Sequence, residues 1–181
     1  KGVIPYSHPL AIGGSGSCPA VRAALSSADV VLAIGTEFGE TDYDYFFEGG
    51  VQIAGKLIRI DIDSSQLTRN IRPDLAICSD AGQALQALNQ SLDLPTSDGG
   101  RGAKRAEKIR NELKATRDLG YDRFFETILS TLPEVIIAGD STQPVYYAWL
   151  HYETEKPRRY FHSASGFGTL GYAIPAAIGA K

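Results

Sequence analysis

The feature that most restricts the fold of this chain is the run "DVVLAIG", Asp29 to Gly35, which is continuously apolar and closed by a glycine. A strand with one wet face alternates apolar and polar side chains. A run without alternation reads as a strand covered on both faces, the habit of parallel sheets. A parallel sheet needs long crossover connections, and the flanking residues supply the material for them. Before the run, "CPAVRAALSSA" sets Val21, Ala24, Leu25 and Ala28 on one helical face, with Pro19 near the start. After it come the loop "TEFGETDYDYFFEGG", a second strand "KLIRIDID" (Lys56 to Asp63), a short third run "LAICSD", and "AGQALQALNQSL" with Ala84, Leu85, Leu88 and Leu92 at helical spacing. This order predicts an α/β layer with a mostly parallel sheet.

"DLPTSDGGRGAKR" interrupts the pattern with Pro, Ser, Asp and Gly and reads as a linker. The following "AEKIRNELKATRD" predicts a charged surface helix with a thin apolar stripe. From Tyr121 a second α/β pattern begins: the amphipathic helix "YDRFFETILSTL", the strand "EVIIAGD", the loop "STQP", the short aromatic helix "VYYAWLHY", the strand "RRYFHSA" and the helix "YAIPAAIGAK". A lone pair of strands cannot close a sheet, so this second domain is expected to be cut short. The predicted division is 1–92 for a first, N-terminally incomplete domain, 93–120 for linker and surface helix, and 121–181 for the truncated start of a second domain.

The 181 residues carry a net charge of −3, which gives nucleic acid or an anionic membrane no reason to bind. No apolar run escapes charged residues for the width of a bilayer. The start "KGVIPYSHPL" lacks a signal-peptide layout, and residue 1 is read as an internal position because the chain contains no Met. Cys18 and Cys78 fit no metal or redox spacing and are expected to be two buried, reduced thiols of a cytoplasmic protein. His8, His151 and His162 do not converge in sequence. The acidic, aromatic loop around Asp42, Asp44 and Glu48 is expected to be solvated and pinned by its rings.

Between the last strand and the last helix, Gly166, Gly168 and Gly171 spell G-x-G-x-x-G. Strand, glycine turn and helix are the context in which backbone N–H groups and an electropositive helix end seat a pyrophosphate. A dinucleotide (NAD or FAD) domain of an oxidoreductase is one reading, although that fingerprint also requires an acidic residue about twenty positions further on, beyond Lys181. A glycine turn needed only for close packing, in a non-catalytic module, is another.

"KPRRYFHSASGFGTLGYAIPAAIGAK" resembles the cofactor-domain entrance of thiamine-diphosphate-dependent enzymes of the acetolactate synthase-like group. "AGDSTQPVYYAW" resembles the preceding loop of that domain, where an Asp precedes a Gln near the diphosphate. "SHPLAIGGSGS", "DVVLAIGTEFGETDYD" and "KLIRIDIDSSQLTRNIRPDLAICSD" are similar to the central, Rossmann-like domain. The resemblance implies a thiamine diphosphate- and Mg2+-dependent 2-oxo acid decarboxylase or carboligase. The carbonyl of Gly168 would accept from the 4′-amino group of the aminopyrimidine, the amide of Leu170 would bond a ring nitrogen, and the Leu170 side chain would wedge the cofactor into its bent form. Gly166 and Thr169, in the same turn, are counted with them as cofactor-binding residues. Gln143, with backbone groups of Ser141 and Thr142, would approach the diphosphate. No catalytic residue is assigned, because the family's Glu lies in a domain outside this chain. No metal ligand is assigned, because the Mg2+-binding segment lies beyond Lys181. The chain is therefore expected to be a fragment, inactive alone, of a parent that forms a homodimer or homotetramer. Some relatives hold FAD in the central domain. Here Glu37 stands where a cation faces the FAD diphosphate, so that site is read as vestigial and Asp61 and Asp63 as strand-end caps. The wording of the two loops leans towards a 5-guanidino-2-oxopentanoate decarboxylase, with acetolactate synthase as the alternative.

Overall fold

In the computed structural model, which describes residues 1–93 and 99–181, the chain forms two compact units. One consists of Arg22–Gly100 and the other of Lys1–Val21 together with Arg101–Lys181. This grouping cuts the chain differently from the division at 92 and 120, since the first residues pack with the second half. Part of the predicted linker, 94–98, lies outside the described residues.

Helix α1 (Pro19–Ser26) precedes strand β1 (Val30–Ile34). Strands β2 (Lys56–Asp61) and β3 (Leu75–Cys78) follow, then α2 (Ala81–Ser91), whose N-cap Asp80 accepts the Gln83 N–H at 3.0 Å. The sheet has the order β1-β2-β3 and is parallel throughout, with Val31 opposite Leu57 and Ala33 opposite Arg59. Val31, Ala33, Leu57, Phe38 and Val51 form the core, closed by Leu25, Ala28, Tyr43, Ile53 and Ile71. Burying a side chain of the Leu57 or Phe38 kind contributes about 1.5–3 kcal/mol. β1 departs from the expectation of two covered faces: Val30 and Leu32 are 56% and 40% exposed. The residues that pack this core alternate along β1, so the packing layer lies on one face.

The core side of β2 carries Arg59, which is fully buried. Its guanidinium donates to the carbonyls of Arg69 (2.6 Å), Ile71 (3.0 Å) and Thr36 (2.8 Å) and lies 4.8 Å from the centre of the Phe38 ring. The loops after β1 and after β2 are joined further by Asn70 Nδ2 on the Phe38 carbonyl at 2.7 Å and by Arg69 with Glu37 and Glu40. Glu37 is thus held by a cation of its own chain. Asp61 accepts the Asp63 N–H, and Asp63 accepts the Ser65 N–H, the local bonds of acidic turn residues at a strand end. In the acidic loop, Asp44 and Glu48 pair with Arg22. Cys18 is buried as expected, whereas Cys78 is exposed, because it closes the edge strand β3 with its thiol 3.6 Å from the Ile62 carbonyl.

In the other unit, α3 (Arg101–Lys114) starts several residues before the predicted surface helix. Its apolar stripe, Ala106, Ile109 and Leu113, is buried, and Arg110 donates to the carbonyls of Pro9 and Ala11. Helix α4 (Leu119–Thr131) begins at Asp118, whose carboxylate caps Gly120 and Tyr121. Then come β4 (Ile137–Gly139), α5 (Gln143–His151), β5 (Tyr160–His162) and α6 (Ala173–Gly179). β4 and β5 form a two-stranded parallel sheet with Gly139 opposite His162. An aromatic core holds this sheet to α4 and α5. Phe125, Tyr147, Tyr152 and Tyr160 are buried with Ala148; Tyr121 stacks on Tyr147 at 5.1 Å, and Tyr152 meets Tyr160 at 5.2 Å. The Tyr160 hydroxyl donates to the Val145 carbonyl at 3.1 Å, and Tyr147 donates to Asp122. Among the described residues, no helix is long and apolar enough to cross a membrane.

Candidate functional site

β4 and β5 run side by side and end at the same level, so the loops that leave them meet. The meeting is recorded in bonds: the Ser163 N–H donates to the Gly139 carbonyl at 3.2 Å, and the hydroxyls of Ser141 and Ser163 lie 3.4 Å apart. Gly139 has no room for a side chain, because a Cβ there would stand 2.3 Å from Cγ2 of Val145 in the first turn of α5. That close approach brings the start of α5, at Ser141, Thr142 and Gln143, against the sheet end. Pro144 sits at the helix start, where its missing N–H costs no intrahelical bond. The Thr142 carbonyl accepts from Val145 and Tyr146.

The glycine turn follows β5. Gly166, Gly168 and Gly171 have φ of +116°, +61° and +83°, the left-handed region that glycine enters without steric cost. A Cβ at 168 would lie 3.6 Å from Ser141 Oγ, so the loop after β4 and the turn after β5 are neighbours. The Gly168 N–H donates to the Ser163 carbonyl at 3.0 Å, and Ser163 Oγ donates to the Thr169 carbonyl at 2.6 Å. Asp140 holds the far end of the turn: its carboxylate accepts the N–H of Gly171 at 3.0 Å and of Ala173 at 2.7 Å. Pro175 falls in the first turn of α6, where its ring is tolerated.

Asp140 decides between the two cofactors that the glycine spelling allows. A dinucleotide pyrophosphate would use the N–H groups opening α6. Here those of Gly171 and Ala173 are taken by a carboxylate, whose charge repels a second anion. Two of the donors that a dinucleotide pyrophosphate would use at α6 are therefore occupied by the chain's own carboxylate. The resemblance places Asp140 near a diphosphate; its bonds to the turn are a finding of the structure. The signal available was an acidic residue immediately after a short strand, beside a glycine turn with backbone donors to satisfy.

A flat heterocycle fits what remains. Among the described residues, the Gly168 carbonyl and the Leu170 N–H have no hydrogen-bond partner, while the Thr169 carbonyl and the Gly171 N–H do. Acceptor and donor are thus free two residues apart, next to an apolar Leu170 side chain that is 70% exposed. Phe167, Ile174 and Ile178 extend this uncovered apolar surface along the turn and α6. Of the residues singled out in sequence, Ser141 adjoins the turn formed by Gly166, Gly168, Thr169 and Leu170. Thr142 and Gln143 open α5 in the adjoining loop, exposed and without recorded contact to the turn. His162 stands one residue before Ser163 with its Nδ1 buried and unpartnered, and burial lowers its pKa.

The chain belongs to the thiamine pyrophosphate enzyme family. Residues 1–88 match the family described as thiamine pyrophosphate enzyme, central domain, and residues 140–181 match thiamine pyrophosphate enzyme, C-terminal TPP binding domain. Over 185 residues the chain is 33% identical to the probable 2-ketoarginine decarboxylase AruI of Pseudomonas aeruginosa, which takes in 100% of this chain and 32% of that protein. It is 32% identical over 197 residues to the probable chloroplastic acetolactate synthase 2 of Oryza sativa, covering 99% of this chain and 29% of that protein. It is also 31% identical over 199 residues to the probable acetolactate synthase large subunit of Methanocaldococcus jannaschii, covering 100% and 33%. The chain thus spans about a third of the length of the curated relatives it matches.

Proposed function

We propose that this chain is part of a thiamine diphosphate- and Mg2+-dependent 2-oxo acid decarboxylase or carboligase, supplying most of the central domain and the first part of the cofactor domain. The observation that carries the reading is the glycine turn, in which the Gly168 N–H, Thr169 carbonyl and Gly171 N–H are bonded while the Gly168 carbonyl and Leu170 N–H are left free. Bound there, thiamine diphosphate supplies the electron sink that a 2-oxo acid needs to lose CO2. The residues of this chain bind and orient: Gly168 accepts from the amino group of the ring, Leu170 donates to a ring nitrogen and wedges the cofactor, and Gly166 and Thr169 shape the turn. Ser141, Thr142 and Gln143 at the start of α5 would approach the diphosphate. Mg2+ and the proton-handling Glu are assigned to parts of the parent protein outside residues 1–181. The domain division in this reading is 1–92, 93–120 and 121–181.

The substrate we favour is 5-guanidino-2-oxopentanoate, the compound also called 2-ketoarginine, on the strength of the two loop sequences and the relative named for it. Acetolactate synthesis is the second reading, favoured by the comparable identity to proteins of that name. FAD has no part in either, because Glu37 is ion-paired with Arg69 where a diphosphate requires a free cation. A homodimer or homotetramer in the cytoplasm is the assembly proposed, and the exposed Phe167, Ile174 and Ile178 support it. The test is titration of the full-length protein with thiamine diphosphate and Mg2+. Saturable binding, followed by CO2 release from 5-guanidino-2-oxopentanoate in preference to pyruvate, is the expected result. Absence of saturable binding would remove the reading, and a preference for pyruvate would move it to the second.

A further inference from the structure

Three glycines at positive φ make the segment from Gly166 to Gly171 inherently loose, since glycine loses more backbone freedom on ordering than any other residue. Something outside the segment must hold it in one shape. Two side chains do so, one from each strand of the small sheet. Asp140 follows Gly139 at the end of β4, and Ser163 follows His162 at the end of β5, and Gly139 and His162 are paired in register. The two holders therefore leave the sheet at one level, tied to each other by the Ser163 N–H on the Gly139 carbonyl. Ser163 grips the front of the turn through its carbonyl on the Gly168 N–H (3.0 Å) and its hydroxyl on the Thr169 carbonyl (2.6 Å). Asp140 grips the back through Gly171 (3.0 Å) and Ala173 (2.7 Å). The grips fall before, between and after the Gly168 carbonyl and the Leu170 N–H and consume neither.

We propose that Asp140 and Ser163 are positioning residues for the cofactor ring: together they set the direction of the Gly168 carbonyl and the Leu170 N–H without touching the ring themselves. A carboxylate bridging two backbone N–H groups makes charge-assisted bonds, about twice the strength of neutral ones, so Asp140 is the stronger of the two. The two act on one short segment, so their effects are coupled and not additive. This inference rests on the thiamine reading above.

The test uses the full-length protein with Mg2+ and two probes: thiamine diphosphate, which has the ring, and inorganic pyrophosphate, which lacks it. Binding is measured by calorimetry, and the melting temperature is recorded without either probe. Asp140→Ala is expected to weaken thiamine diphosphate roughly tenfold and Asp140→Asn, which keeps one acceptor oxygen, about threefold, with pyrophosphate affinity unchanged. Ser163→Ala is expected to weaken thiamine diphosphate about threefold, and adding it to Asp140→Ala to cost less than the product of the two. Should Asp140→Ala not fold, Asp140→Asn and Ser163→Ala carry the comparison. If the unaltered protein binds thiamine diphosphate and every variant binds it equally well, the positioning role is overturned and the cofactor reading stands. An equal loss for both probes overturns it too, since that marks general damage to the loops. No binding by the unaltered protein removes the cofactor reading and this inference with it.

Discussion

Gly139→Ala tests the packing on which the site is built. The added Cβ would lie 2.3 Å from Cγ2 of Val145 and 3.2 Å from its Cγ1, whereas carbon atoms rest at about 3.5–4.0 Å. β4 and α5 would have to part by roughly 1 Å, and neither is free to move. Gly139 is bonded through its carbonyl to Ser163, and the carbonyl of Val145 accepts from the buried Tyr160. Overpacking of this kind costs about 1–3 kcal/mol, and the smaller entropy of alanine in the unfolded chain returns about 0.4–1 kcal/mol. The expected net loss is about 1–2 kcal/mol. Val145→Ala alone leaves a void and costs about 2 kcal/mol, because Val145 is buried. In the double variant the new methyl occupies that void, so the pair should be no less stable than Val145→Ala alone, a coupling of about 1 kcal/mol or more. The assay is urea unfolding followed by fluorescence of Trp149, the single tryptophan of the chain, which lies on the same helix. Simple additivity of the two losses would show that the approach of β4 to α5 is not what excludes a side chain at 139.

Leu170→Ala should weaken thiamine diphosphate binding by the full-length protein while changing stability by less than about 0.5 kcal/mol, because an exposed side chain contributes little to folding; a large drop in melting temperature would contradict its exposure. Arg59→Leu removes the three hydrogen bonds of a buried guanidinium and should cost about 3 kcal/mol in urea unfolding, so a loss under about 1 kcal/mol would show those bonds to be dispensable. Burial holds the pKa of both His162 and His151 below the ordinary 6.5, so the unfolded chain takes up their protons first. The stability they permit is complete above 6.5 and declines as pH falls through and below it. Melting temperatures between about pH 7.5 and 5.5 should show this decline, and His162→Gln should reduce it. An unchanged slope in His162→Gln would mean that His162 does not contribute. Glu153, whose pKa burial raises above the ordinary 4.5, acts with the opposite sign.

What the sequence disclosed followed from local rules. The apolar runs located the strands, helical spacing located α1, α2 and α4, and the three glycines marked a turn that does take left-handed backbone angles. Where the sequence failed, the cause was a partner distant along the chain. The exposure of Val30 and Leu32 depends on which face the packing layer covers, and an apolar run carries no sign of that. The thin stripe of α3 suggests a surface helix; its packing partners lie about a hundred positions earlier, as Arg110 on Pro9 and Ala11 shows. Asp140 reaches residues 31 and 33 positions ahead, and only the parallel pairing of β4 with β5 brings them within reach.

Arg59 has a consequence for anyone recombining this molecule with its relatives. A single buried cation holds two loop segments, at 36–38 and 69–71, on one stem, so the shape of each depends on the other. A chimera that imports one segment and keeps the other should lose both, whereas exchanging them as a set, together with the arginine, should transplant cleanly.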